Sequence, residues 1–129
     1  MSFSNDLETK VLNWAFDPLS SPTRPSAIYV ALHTANPDED ASGAEVTTVG
    51  TAYVRQTGQF TVTGNTATTN AAIEYPTATA DYGTVTHVAV WDAVSGGNML
   101  AYAALTASKT IATGDVMRLP TGELDITLD

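Results

Sequence analysis

The sequence predicts an all-β fold, an antiparallel β-sandwich of the jelly-roll kind with one N-terminal α-helix. Apolar residues recur at helical spacing before Pro18, and this is the one convincing helical pattern. After Pro25 the chain reads as roughly eight or nine short strands separated by turn residues. A chain of 129 residues forms a single domain, which we divide into a helical arm (residues 1–17) and a β-sandwich (residues 26–129).

The opening segment SFSNDLETKVLNWAFDP predicts the helix. Ser4 or Asn5 is placed to cap its first turn, and Glu8 stands three residues after Asn5, as in a capping box. Pro18 disfavours helical geometry at the residue before it, so the helix should end near Phe16. The apolar stripe is wider than a surface helix needs, which predicts docking against the sheet or another chain. The stripe consists of Leu7, Val11, Leu12, Trp14, Ala15 and Phe16.

The segments after Pro25 supply the strands. SAIYVALHT alternates and has one strongly aliphatic face, as expected of a strand on a sandwich core. A hairpin turn is expected at SGGN, because Ser, Gly and Asn are ordinary turn residues. The other strand candidates are TAYVRQ, GQFTVTG, TATTNAAIEYP, TVTHVAVW, NMLAYAAL, ASKTI, DVMRL and ELDITL.

The strand TVTHVAVW is unusual because both of its faces are apolar. A two-layer sandwich covers one face of each sheet, and a single short helix is too small to cover the rest. We therefore predict that another copy of the chain or a large partner supplies the cover. The expected assembly is a homo-oligomer, and a trimer is the preferred state. Its predicted interface residues are Leu7, Val11, Trp14, Phe16, His87 and Trp91.

Composition excludes several classes of partner and site. The formal charge of −9 repels phosphate backbones, so nucleic acid is not expected as a partner. The absence of cysteine excludes disulfides and thiolate metal sites. Apolar runs are only strand-sized, and the first twenty residues contain Asp6, Glu8 and Asp17 where a signal peptide needs an apolar stretch. No membrane partner is expected, and the protein should act without crossing one by the standard signal route.

The stretch DEDASGAE is the sharpest local motif. Asp38, Asp40 and Ser42 occupy the first, third and fifth positions of an EF-hand-type loop, and Gly43 occupies the sixth. The twelfth position is Val49 rather than the bidentate glutamate that completes a calcium shell. The preferred interpretation is a solvated acidic loop without metal; calcium binding with Glu45 as a substitute ligand is the alternative.

The sequence shows no recognisable arrangement of catalytic residues. A hydrolytic triad needs His33 or His87 beside a serine and a carboxylate, and Ser95 lies in VSGGN, which lacks the G-x-S-x-G elbow. No catalytic residue and no cofactor are predicted. Trp14 and Trp91 are interpreted as core or subunit-contact residues rather than a sugar platform, because neither adjoins a cluster of Asn, Asp and Gln in the sequence.

Four segments carry a resemblance to a known family: SNDLETKVLNWAF, SAIYVALHTANP, YPTATADYGTVTHVAVWDAVSGGNMLAYAAL and SKTIATGDVMRLPTGELDITL. Together they resemble small structural proteins of tailed bacteriophages, called tail-fibre-like or virion structural proteins, and some capsid decoration (cement) proteins. The most specific part runs over residues 76–97. The resemblance implies a non-enzymatic virion component, assembled in the host cytoplasm.

Within that class, capsid decoration is the first expectation. The protein would bind the major capsid protein on the outside of the shell as an oligomer and stabilise the shell. An acidic chain fits the exterior because the interior faces packaged DNA. The alternative is a tail or tail-fibre-associated protein that binds a tail protein and serves as a receptor-binding module. A glycan-active enzyme is a third alternative.

Overall fold

A computed structural model describes residues 1–128. Within them the chain forms ten strands and one helix. In chain order the elements are β1 (Ser2–Phe3), α1 (Asn5–Phe16), β2 (Tyr29–His33), β3 (Gln56–Thr57), β4 (Phe60–Thr63), β5 (Thr66–Thr69), β6 (Ile73–Glu74), β7 (Gly83–Trp91), β8 (Met99–Ile111), β9 (Arg118–Leu119) and β10 (Asp125–Thr127).

The largest sheet has five strands in the order β1-β8-β7-β2-β3, with every neighbouring pair antiparallel. Val90 lies at its centre, paired with Val30 on one side and Ala101 on the other. The β7–β8 register shifts between Val85 and His87, which leaves extra residues of β8 without partners on β7. β7 and β8 thus form the long hairpin on which the N-terminal segment rests.

A second layer packs against one face of this sheet. It consists of a three-stranded sheet, β10-β5-β4, and a two-stranded sheet, β6-β9. Leu32 and Val88 of the five-stranded sheet lie in one buried core cluster with Ile73 and Leu119 of the two-stranded sheet. This arrangement confirms the antiparallel β-sandwich with one N-terminal helix. The strands divide into sheets of five, three and two, whereas a jelly roll has two four-stranded sheets.

The opposite face of the large sheet is also covered, and by the same chain. Ala31, Ala89, Trp91 and Met99 form a buried cluster there, and Ala41 from the long β2–β3 connection packs on it. This explains the two apolar faces of TVTHVAVW, for which the sequence predicted cover by another copy of the chain or by a large partner. Part of the expected intermolecular cover is therefore intramolecular.

The helix has the predicted bounds, and its cap is the first of the two predicted residues. α1 ends at Phe16, as expected, and Ser4 is its N-cap, with the hydroxyl accepting a hydrogen bond from the Leu7 amide at 3.2 Å. Glu8 is therefore one position beyond the place that a capping box requires. In residues 1–128, α1 is neither long enough nor apolar enough to span a membrane.

Candidate functional site

The N-terminal end of α1 is anchored through its cap. The Ser4 amide donates to the Leu100 carbonyl at 2.9 Å, and the Ser4 hydroxyl donates to the Met99 carbonyl. The Asn5 amide donates to the carbonyl of Glu39 at 3.1 Å. These contacts join the first turn of the helix to β8 and to the β2–β3 connection, and they set the direction in which the helix leaves the sandwich.

The rest of α1 is poorly covered. None of its residues is buried. The exposed fractions are 58% for Leu12, 75% for Trp14 and 80% for Phe16, and Leu19 just beyond the helix is 94% exposed. So many large apolar side chains on one short segment exceed the ordinary scatter of exposed apolar residues over a protein surface. We call these four residues the α1 surface.

A groove runs beside the α1 surface. It has a volume of about 330 Å³ and lies between Leu7, Val11 and Trp14 of the helix and the segment 22–25. Arg24 also lines it, as does Lys10, whose ammonium pairs with Asp6 at 2.7 Å. Two of the five basic residues of this acidic chain therefore lie at the groove.

The six residues that the sequence predicts as an interface fall into two separate places. Leu7 and Val11 are half-buried in the groove, and Trp14 and Phe16 belong to the α1 surface. His87 is half-buried on β7, and Trp91 is buried with only 9% of its surface exposed. The structure brings Leu7, Val11 and Trp14 together at the groove. Phe16 is exposed at the end of the helix, and Trp91 packs inside the chain. The interface itself stays a prediction.

A buried ion pair covers Trp91. Arg55 donates from Nε and Nη2 to the two carboxylate oxygens of Glu45, at 2.9 and 2.8 Å, and its guanidinium carbon lies 3.9 Å from the centre of the Trp91 ring. Nη1 donates to the carbonyls of Ala93 and Gly96 at 2.9 and 2.8 Å. Arg55 thereby connects the β2–β3 connection to the β7–β8 turn.

Sequence reasoning missed this ion pair. Glu45 was considered only as a calcium ligand, and Arg55 stands in TAYVRQ without a motif. A lone arginine in a strand-like segment of an acidic chain was the available signal. Burial opposes ionisation of Glu45, but hydrogen bonds from Arg55 and Tyr53 outweigh it and lower the pKa of the carboxyl.

The two histidines face each other across β2 and β7 and are engaged locally. His33 Nδ1 lies 3.1 Å from the Gly43 carbonyl, and His87 Nδ1 lies 2.8 Å from the Thr86 hydroxyl. Within residues 1–128 neither ring is hydrogen-bonded to a serine or a carboxylate. No histidine is therefore arranged as the base of a hydrolytic triad.

We expect stability to fall on mild acidification because of His33. Burial lowers the pKa of this imidazole below its usual 6.5, with Glu45 opposing the shift and Arg55 and His87 adding to it. The unfolded chain then binds a proton that the folded chain excludes, so stability is full above about pH 6.5 and declines below it. Urea unfolding between about pH 7.5 and 5.5 should show a decline of at most about 1.4 kcal/mol per pH unit. His33→Gln should flatten this slope, and an unchanged slope in that variant would contradict the assignment.

The loop at residues 38–45 is closed by its own hydrogen bonds. The Asp38 amide donates to the Asn36 side chain at 3.1 Å, and the Ser42 amide donates to Asp40 at 3.1 Å. Glu45, the substitute calcium ligand of the alternative interpretation, binds Arg55 instead. Among residues 1–128, no three acidic or histidine side chains are grouped to hold a metal ion.

Calcium should accordingly leave the melting temperature of the protein unchanged. A site filled at a hundred times its dissociation constant would stabilise the fold by about 2.7 kcal/mol, enough to raise the melting temperature by several degrees. Differential scanning fluorimetry with calcium and with magnesium measures the difference. A rise with calcium alone would restore the calcium interpretation.

The structure thus defines a small β-sandwich domain whose terminal helix presents apolar side chains to solvent. A more specific assignment follows from comparison with known families. The family model described as "Podophage GP4 fiber I protein gp80" matches residues 2–127. The chain belongs to this family, which confirms the resemblance to tailed-phage structural proteins and identifies a virion component. No match was found among curated proteins.

Proposed function

We propose that this protein is a non-enzymatic structural component of the phage tail fibre that self-associates through the α1 surface. The family description names a fibre protein, which favours the tail alternative over capsid decoration. Capsid decoration, the first expectation from the sequence, gains no support from the family match. The protein is then a virion component on the tail, in contact with copies of itself and with a neighbouring tail protein.

The single observation that carries self-association is the exposure of Leu12, Trp14, Phe16 and Leu19. Aromatic side chains with this exposure are the typical anchors of protein interfaces, where their burial releases the most free energy. The two apolar faces of β7 no longer contribute to the case, since Ala41 and Arg55 of the same chain cover Trp91. An oligomer, with a trimer as the expected state, rests on the helix alone.

Sedimentation of the purified protein tests this proposal. The wild type should sediment as an oligomer, and the double variant Trp14→Ser/Phe16→Ser should sediment as a monomer with an unchanged β-sheet circular dichroism spectrum. Val49→Ser/Val62→Ser is the matched control, because these side chains are exposed to 84% and 71% but lie outside the helix. A monomeric wild type at high concentration, or equal dissociation in the control, would contradict self-association through α1.

Labelling the virion tests the position separately. Antibody raised against the purified protein should decorate the tail in electron micrographs. Label distributed over the head would reinstate capsid decoration and refute the fibre assignment.

A further inference from the structure

We propose that each copy of this protein inserts the residues at the end of α1 into the groove beside α1 of a second copy. The inserted segment is FDPL, residues 16–19, and the groove is the one between α1 and residues 22–25. We call them the insert and the α1 groove. This contact rests on the proposed function, because it specifies how the α1 surface binds a second copy.

The insert presents two apolar side chains on either side of a carboxylate. Phe16 is 80% exposed and Leu19 is 94% exposed. Asp17 between them is exposed as well, and its Oδ1 accepts a hydrogen bond from the Leu19 amide at 3.1 Å. This hydrogen bond shapes the turn after the helix, and a carboxylate has lone pairs left for further donors. The insert therefore offers apolar anchors and an acceptor group in one turn.

Asp17 lies at the end of α1 where a negative charge is least favourable. It is the C-cap of the helix, and the last helical turn contains no basic residue. The helix dipole places partial negative charge at this end, so a cation stabilises it and a carboxylate does not. Within residues 1–128, Asp17 forms no ion pair. A cation supplied by another molecule would therefore interact favourably with both the carboxylate and the helix end.

The α1 groove complements the insert in both respects. Arg24 lines the groove, is exposed, and has no ion-pair partner among residues 1–128. A guanidinium can form two parallel hydrogen bonds with a carboxylate, which orients the contact as well as attracting it. The remaining wall of the groove is mostly apolar and suits Phe16 and Leu19. The apolar wall consists of Leu7, Val11, Trp14, Pro22, Pro25 and Leu100.

The charge distribution favours a second copy as the occupant of the α1 groove. A net charge of −9 makes copies of this chain repel one another over most of their surfaces. Of the five basic residues, Arg55 is buried against Glu45, and two of the other four line the groove. Lys10 already pairs with Asp6, whereas Arg24 is available. The groove is therefore a place where a carboxylate of a second copy is attracted.

The insert and the α1 groove are different surfaces, so the contact is heterologous and runs from one copy to the next. Heterologous contacts close into rings when the rotation between copies is suitable, and a cyclic trimer is built from them. The contact thus agrees with the trimer expected from the sequence.

A double-mutant cycle on the dissociation constant of the oligomer tests the ion pair. Asp17→Asn removes the charge but keeps the oxygen that accepts from the Leu19 amide, and Arg24→Gln removes the cation. In sedimentation equilibrium each variant should weaken association by about tenfold or more, and the double variant should be no weaker than either one. Glu74→Gln and Arg118→Gln remove exposed charges from the β6–β9 pair and should leave association unchanged.

Cross-linking shows whether the contact joins two chains. The protein has no cysteine, so Leu19→Cys and Thr23→Cys each carry a single thiol and leave the ion pair intact. Thr23 lines the α1 groove. A mixture of the two variants, one enlarged by a tag, should give mixed dimers with a short bismaleimide. Val62→Cys, exposed on β4, should give none with Thr23→Cys.

The insert contact is refuted if the two single neutralisations leave association unchanged, if their effects are fully additive, or if Leu19→Cys cross-links alone as well as it does in the mixture. In each of these cases, an oligomer that Trp14→Ser/Phe16→Ser dissociates would still support self-association through the α1 surface. A monomeric wild type would contradict both the insert contact and the proposed self-association.

Discussion

Arg55→Ala should destabilise the fold by about 3–5 kcal/mol, the range seen when one partner of a buried ion pair is removed. The Arg55 side chain is 7% exposed and that of Glu45 is 24% exposed, so the remaining carboxylate would be left largely out of water. The carbonyls of Ala93 and Gly96 would lose their donor in the same change. Urea unfolding followed by circular dichroism measures the loss.

Two further variants identify the cause. Arg55→Lys should recover only part of the stability that Arg55→Ala loses. An ammonium group cannot form the bidentate contact with Glu45 together with the two hydrogen bonds to backbone carbonyls. Arg118→Ala removes an exposed arginine from β9 and should change stability by no more than about 0.5 kcal/mol. A loss below about 1 kcal/mol for Arg55→Ala would show that the ion pair contributes no more than a surface pair.

Phage that carry Trp14→Ser/Phe16→Ser should adsorb to cells at least about a hundredfold more slowly than wild type, while their heads retain DNA on heating as well as before. The expected loss corresponds to the removal of interface anchors that are each worth about 2 kcal/mol or more. Without those contacts the fibre should lack this protein, although the head is untouched. Adsorption kinetics, mass spectrometry of purified particles and release of DNA on heating measure the three effects.

The control phage carries Val49→Ser/Val62→Ser, which removes equally exposed apolar side chains from elsewhere in the chain. It should adsorb normally. The opposite pattern for Trp14→Ser/Phe16→Ser, with normal adsorption and heads that lose DNA faster, would refute the tail assignment and favour capsid decoration. The purified variant must keep its circular dichroism spectrum for either pattern to count.

The helix was the most predictable element because its signals are local. Ser4 and Pro18 lie within a few residues of the ends of α1, and its bounds depend on backbone capping and proline sterics. The strand character of SAIYVALHT and TVTHVAVW was equally readable, since alternation reflects side chains on opposite faces of one strand. The pairing of these strands was not, because register joins residues far apart in sequence, such as Val30 and Val90.

The candidate sites also divide into features that the sequence predicts and features that only the structure shows. Trp14 and Phe16 were expected at a contact surface, and their exposure on α1 is consistent with that. Trp91 was expected in the core or at a subunit contact, and within this chain its cover includes Arg55, a residue with no local motif.

The sequence by itself determined the one-helix, all-β character of this protein, the bounds of its helix, its acidity and its kinship with phage structural proteins. These properties follow from composition and from interactions between residues close along the chain. Only the tertiary structure decided which apolar residues remain uncovered and that Glu45 binds Arg55. The reason is physical: burial and ion pairing depend on distances through space, and the antiparallel sheets bring together segments that the sequence separates by tens of residues.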